Sequence, residues 1–265
     1  MLSALKSHIS KKIKKETHLW HFLRFFYMLF SGNYFLILRG QLRRHWQIKI
    51  MPLYGKKVLE DFLSACGPLG IRPFLLRGTL LGYYREGGLV KNDYDIDLGL
   101  LEQDFQKIEA LKDALAKKGF VVYRDCCYTG PLKNIGSRFL IKFLQPLRGI
   151  WVDVDLLYQR DGLVAYIEDK RFQYLYEGKE IRDKKTLTTD VIGFALVYPE
   201  KIFAELTKVK FLGLEIWVPI EAEQYLKITY GDWQIPKSKN EAPYQNMKTL
   251  TYDTGTKRLS YHPLP

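Results

Sequence analysis

Two segments of this chain alternate apolar and acidic residues with a period of two, which restricts them to a sheet with one buried and one charged face. In the first, Asp95 and Asp97 fall on one side, while Tyr94, Ile96, Leu98 and Leu100 fall on the other. The second, Trp151-Val152-Asp153-Val154-Asp155-Leu156, repeats the pattern. Strand side chains alternate faces, so Asp95 and Asp97 project together with Cα atoms roughly 6–7 Å apart. Like charges that close repel, and a divalent cation removes the penalty by taking both as oxygen ligands. Phosphoryl-transferring enzymes use this arrangement to hold Mg2+ (or Mn2+) against a polyphosphate. A solvated sheet edge also carries alternating carboxylates, so the pattern needs support from its neighbours.

That support comes from three places. Gly78-Thr79 follows an apolar run and opens a predicted helix over residues 79–86, placing backbone N–H groups where a phosphate binds. Arg85 lies in the same helix. The strand at 151–157 supplies Asp153, which a shared sheet brings beside Asp95 and Asp97. The expected site therefore has Asp95 and Asp97 as metal ligands, Asp153 as third ligand or proton acceptor, and Gly78, Thr79 and Arg85 on phosphate oxygens. Arg138 and Lys142 lie four apart on one strand face and are further candidates for the donor phosphates, although an exposed strand edge accounts for them nearly as well. Four of the five histidines fall in the first 50 residues, which argues against a histidine base.

The run Arg77-Gly78-Thr79-Leu80-Leu81-Gly82-Tyr83-Tyr84-Arg85-Glu86-Gly87-Gly88-Leu89-Val90, followed by Asp93-x-Asp95-Ile96-Asp97, resembles the LicD/fukutin family of the nucleotidyltransferase superfamily. Val152-Asp153-Val154 matches a further strand of that family. So do Phe211-Leu212-Gly213 with Val218-Pro219, and Tyr225-Leu226 with Tyr230-Gly231-Asp232-Trp233. Four ordered blocks cover about residues 56–236. Lys91-Asn92 and Tyr94 stand where the family usually has Pro-Trp and another Asp. Asp155 occupies a position that is usually aromatic there, which ranks Asp153 above it. The resemblance implies a nucleotidyltransferase-like mixed α/β sheet. It also implies transfer of a phospho-alcohol, such as phosphocholine or ribitol phosphate, from a CDP-linked donor to a sugar or glycolipid hydroxyl. True nucleotidyl transfer to a sugar phosphate, RNA or protein is the alternative chemistry. A non-catalytic basic module binding RNA or membrane is the alternative outside enzymes.

The charge is unevenly spread. The chain carries +12 overall. Ten Lys/Arg against Glu16 alone give residues 1–50 a charge of +9, leaving +3 for the other 215 residues. No basic track crosses the rest of the chain, so no nucleic-acid partner is expected. The same segment holds Phe25–Phe30 and Tyr34–Leu38, a combination suited to an anionic membrane surface. Arg24 and Ser31-Gly32-Asn33 interrupt any apolar run of roughly 20 residues, which argues against a transmembrane span. A helical hairpin packed on the core, with a solvated basic face, is the competing account. Three cysteines, two of them adjacent, fit neither a disulfide framework nor a zinc spacing, and imply a reducing, cytoplasmic compartment.

The expected organisation is a basic segment over 1–50, a catalytic domain over 51–236 and a tail over 237–265. Helices are expected at 58–66 and 105–115, the latter ended by Gly119, with strands at 120–123, 138–144, 150–157 and 163–167. Pro199 is expected to open a helix through Leu206, residues 211–218 to form one strand, and Pro219 to precede a helix ending near Gly231. The C-terminal part is expected to be the more helical.

Overall fold

The computed structural model describes residues 36–127, 138–160, 162–168, 175–176, 179–180, 191–236, 247–253 and 258–263. The chain divides between Trp46 and Gln47, four residues before the expected boundary. Gln47 explains the difference. It is 1% exposed and its side-chain amide donates to the Gly149 carbonyl at 3.0 Å, so the second unit already needs it. Phe25–Phe30 and Tyr34-Phe35 lie outside the described residues. No helix among the described residues is long and apolar enough to cross a membrane.

Helix α1 (Leu36–Cys66) reaches the sheet through Ile50, Met51, Val58, Leu59, Phe62 and Ala65, the three-to-four spacing of a buried helical stripe. The chain continues through β1 (Phe74–Leu75), α2 (Arg77–Glu86), β2 (Asp95–Leu101) and α3 (Ile108–Lys117). It then runs through β3 (Val121–Cys127), β4 (Arg138–Gln145), β5 (Ile150–Arg160) and β6 (Leu163–Glu168). After the small ribbon β7 (Leu175–Tyr176) and β8 (Lys179–Glu180) come β9 (Val191–Pro199), β10 (Leu206–Phe211), β11 (Leu214–Pro219) and α4 (Ala222–Tyr230). Strands β12 (Met247–Asp253) and β13 (Arg258–Pro263) follow.

The main sheet is mixed, in the order β10-β11-β1-β2-β5-β6-β9-β12-β13, with β4 and then β3 branching from β5. Parallel pairing of β2 and β5 sets Asp95 beside Trp151, Asp97 beside Asp153 and Gly99 beside Asp155. The two acidic segments therefore lie side by side, with their carboxylates on one face. The opposite face, with Ile96, Leu98, Val152, Val154, Ile141 and Phe143, is buried. Phe62 of α1 meets the Phe143 ring edge-on at 5.7 Å.

Three expectations are corrected here. Residues 211–218 are not one strand, because Leu212 and Gly213 both have positive φ (53° and 78°) and form the turn of the β10–β11 hairpin. Pro199 opens only a short 3-10 turn, Glu200–Phe203, before the chain returns to strand. The C-terminal part does contain helix α4, but within the expected tail Met247–Asp253 and Arg258–Pro263 are strands: β12 pairs with β9, and β13 with β12.

Candidate active site

The site is organised by the turn between β1 and α2. Leu76 is extended, and Arg77 then takes φ +44°, a left-handed value that costs energy in a residue with a Cβ. The surroundings hold that turn in place. The Leu76 N–H donates to the Asp97 carbonyl at 3.2 Å, and the Arg77 N–H donates to the Tyr225 hydroxyl at 3.3 Å. The Arg77 guanidinium grips Asp155, with Nε 2.6 Å from Oδ2 and Nη2 donating to Oδ1 at 3.1 Å. Tyr225 is itself fixed: its ring stacks on Tyr198 at 4.8 Å, and its carbonyl accepts from the Thr229 hydroxyl at 2.8 Å.

The next two residues act on Asp97. The Gly78 N–H donates to Asp97 Oδ2 at 3.1 Å, and the Thr79 hydroxyl accepts from the Asp97 N–H at 2.8 Å. Thr79 is fully buried, and its side chain braces a carboxylate-bearing strand. Gly78 remains half-buried at the start of α2.

Oxygens of Asp93, Asp95 and Asp97 lie within 4.8 Å of one another. Asp93 precedes β2 and continues the same every-second-residue spacing, but it was not among the expected metal ligands. A Cβ added at Gly78 would stand 2.9 Å from Asp93 Oδ2 and 3.2 Å from Asp97 Oδ2. The glycine thus leaves room beside the converging oxygens. Burial, then the charges of Asp153 and Asp93, hold the Asp95 carboxyl well above its ordinary pKa. Burial, then Asp95, do the same for Asp97. Three hard oxygens crowded in a poorly solvated place are a donor set suited to Mg2+ or Mn2+.

Asp153 sits in register with Asp97, one strand away, and its carboxylate forms an ion pair with Lys142 of β4. Burial alone would lower the Lys142 pKa, but the charge of Asp153 and the bond to it prevail, and the ammonium is favoured. The other basic candidates have carboxylate partners of their own. Arg138 is engaged by Asp125 at 2.7 Å and by Glu109 of α3 at 2.8 Å. Arg85 lies seven residues along α2 from Gly78, about 10 Å of helix rise, and donates to Glu86 at 2.9 Å. Trp233 packs edge-on against Tyr84 at 5.9 Å.

A family model described as LicD/FKTN/FKRP, nucleotidyltransferase domain, matches residues 70–221, more than half of the chain. The ribitol-5-phosphate transferase FKTN of Mus musculus is 24% identical over 192 residues, which is 69% of this chain and 33% of that protein. The human protein of the same name gives 24% over 193 residues. The chain thus spans about a third of the length of these relatives. An uncharacterized protein of Rickettsia prowazekii, RP689, is 23% identical over 71% of this chain and 60% of its own length. Among solved structures, ANT(2″)-Ia in complex with adenylyl-2″-tobramycin overlaps 47% of this chain and 62% of its own, with a TM-score of 0.31 and 14% identity.

Proposed function

The chain belongs to the LicD/FKTN/FKRP nucleotidyltransferase-domain family, and from that premise we propose that it moves a phospho-alcohol, such as phosphocholine or ribitol phosphate, from a CDP-activated donor to a sugar hydroxyl of a glycan or glycolipid. The observation that carries this reading is the convergence of Asp93, Asp95 and Asp97 beside the room left by Gly78. Those three carboxylates would hold the divalent cation, which supplies charge neutralisation for the donor pyrophosphate.

The other roles fall to the chain's own groups. The Gly78 N–H and Thr79 hydroxyl orient Asp97, and Arg77, clamped by Asp155, holds the turn that presents them. Lys142 pairs with Asp153 beside the triad. Asp153 then accepts the proton of the attacking hydroxyl while its oxygen bonds to phosphorus and CMP departs. Alignment and stabilisation of charge on the transferring group account for most of the acceleration in such a reaction. Residues 1–50 place the enzyme at the cytoplasmic face of an anionic membrane that carries the acceptor.

The test is incubation with CDP-ribitol or CDP-choline, Mg2+ or Mn2+ and soluble sugar acceptors, followed by phosphorus NMR. Release of CMP with a phosphodiester-linked product is expected, and Asp97→Asn should abolish it. Pyrophosphate release with a nucleotidylated acceptor would overturn the reading in favour of nucleotidyl transfer.

A further inference from the structure

The acidic face of the sheet does not end at the carboxylates. Trp151 is paired with Asp95 across β2 and β5, so its side chain shares their face. It is only 8% exposed. Tyr123 of β3 leans on it, with ring centroids 4.7 Å apart and planes inclined by 33°. The Lys142 ammonium that pairs with Asp153 also lies 5.8 Å from the Trp151 centroid, and the Arg124 guanidinium lies 5.9 Å from that of Tyr123. Carboxylates, ammonium and aromatic rings thus form one continuous strip.

Tyr123 keeps 45% of its surface exposed. Its neighbours Val121 and Val122 are exposed as well, so exposure alone does not single it out. Its position does: it extends the ring surface that begins beside Asp95. Neighbouring strands lie about 4.8 Å apart, which puts the β3 backbone about 14 Å from the acidic strand, and the Tyr123 ring leans back from there to lie 4.7 Å from that of Trp151. The rings thus lie between the sheet edge and the carboxylates, within the span of a nucleoside diphosphate whose phosphates sit at the carboxylate end.

We infer that Tyr123, backed by Trp151, forms the platform on which the base of a nucleoside diphosphate donor stacks, with its phosphates directed along Lys142 toward Asp93, Asp95 and Asp97. This rests on the donor chemistry proposed above. An aromatic face binds a base through stacking, and the adjacent cations reinforce it.

Calorimetric titration of the full chain with CDP and with inorganic pyrophosphate, both in Mg2+, tests the inference. Tyr123→Ala should weaken CDP binding about tenfold, or roughly 1.4 kcal/mol. Tyr123→Phe should keep wild-type affinity. Both variants should bind pyrophosphate as wild type does, which also establishes that they are folded. Unchanged CDP affinity in Tyr123→Ala, or an equal loss for CDP and pyrophosphate, would overturn the platform alone. Wild-type protein that binds neither probe would overturn the donor reading, and the platform with it.

Discussion

Replacing Gly78 by alanine separates the site from the fold. Gly78 is not among the residues with positive φ, so an L side chain suits its backbone. Within a helix the exchange is worth about 0.5–1 kcal/mol in favour of alanine. Against that, the new methyl would stand 2.9 Å from Asp93 Oδ2 and 3.2 Å from Asp97 Oδ2. Asp93, half-buried ahead of β2, can yield by a few tenths of an ångström, whereas Asp97 is pinned by two hydrogen bonds. Metal-free stability should therefore stay within about 1 kcal/mol of wild type. Cation binding should not survive. Mg2+ demands oxygens at about 2.0–2.1 Å in near-octahedral order, and the methyl takes room beside two of them. At a Mg2+ concentration a hundred times its Kd, wild type gains about 2.7 kcal/mol. For a domain of this size that is a rise in Tm of about 5–10 °C. Differential scanning fluorimetry with and without Mg2+ should show the rise in wild type and lose it in Gly78→Ala, with turnover down at least about a hundredfold. A variant that keeps both the rise and the turnover would refute the reasoning. So would one that melts far below wild type without metal, because the glycine would then be needed for folding.

Three further outcomes are expected. Asp155→Ala removes the carboxylate that grips the largely buried Arg77 guanidinium and should cost about 1.5–3 kcal/mol in urea denaturation; a change below about 0.5 kcal/mol would remove Asp155 from the support of the turn. Burial alone would raise the Asp125 pKa, but bonds from Lys112 and Arg138 lower it below the ordinary carboxylate range. Its contribution is thus present above the unfolded pKa of about 3.9 and lost as pH falls through the lower folded value, so Asp125→Asn should flatten the acid limb of a pH–Tm curve and leave an otherwise parallel profile. Deleting residues 1–44, which keeps Gln47 and Ile50, should abolish flotation with phosphatidylglycerol vesicles at low salt while sparing CMP release; flotation retained by the truncated chain would place the lipid contact elsewhere.

Local periodicity made much of this fold legible. Asp95–Leu101 and Ile150–Leu157 read as strands because each buries a full face, and Ile108, Leu111 and Leu115 read as a helix ended at Gly119, although Phe105, read as its start, lies in a 3-10 turn before it. What escaped depends on partners far along the chain. Met247–Asp253 carries little alternation of its own and becomes a strand by pairing with β9. Residues 211–218 looked continuous because leucine rarely takes φ +53°, the value Leu212 adopts in the turn. At the site, the Asp-rich strand was legible from charge alternation. Asp93 escaped because it lies just outside the strand proper. The roles of Thr79 and Asp155 could not be read, since nothing in their local sequence announces Asp97 or Arg77 as partner.

The hydrogen bond from Arg77 to Tyr225 spans 148 positions of the chain. Strand β1 likewise lies between β2, close in sequence, and β11, which is not. A ribosome adding about 5–20 residues per second leaves an interval on the order of ten seconds between the two ends of that bond. Through that interval the acidic strand can be made and paired, yet the turn that orients Asp97 has no Tyr225 to rest on, and β1 has an open edge. Competence at this site therefore arrives late in synthesis, and a nascent chain stopped before α4 would present its carboxylates without the means to aim them.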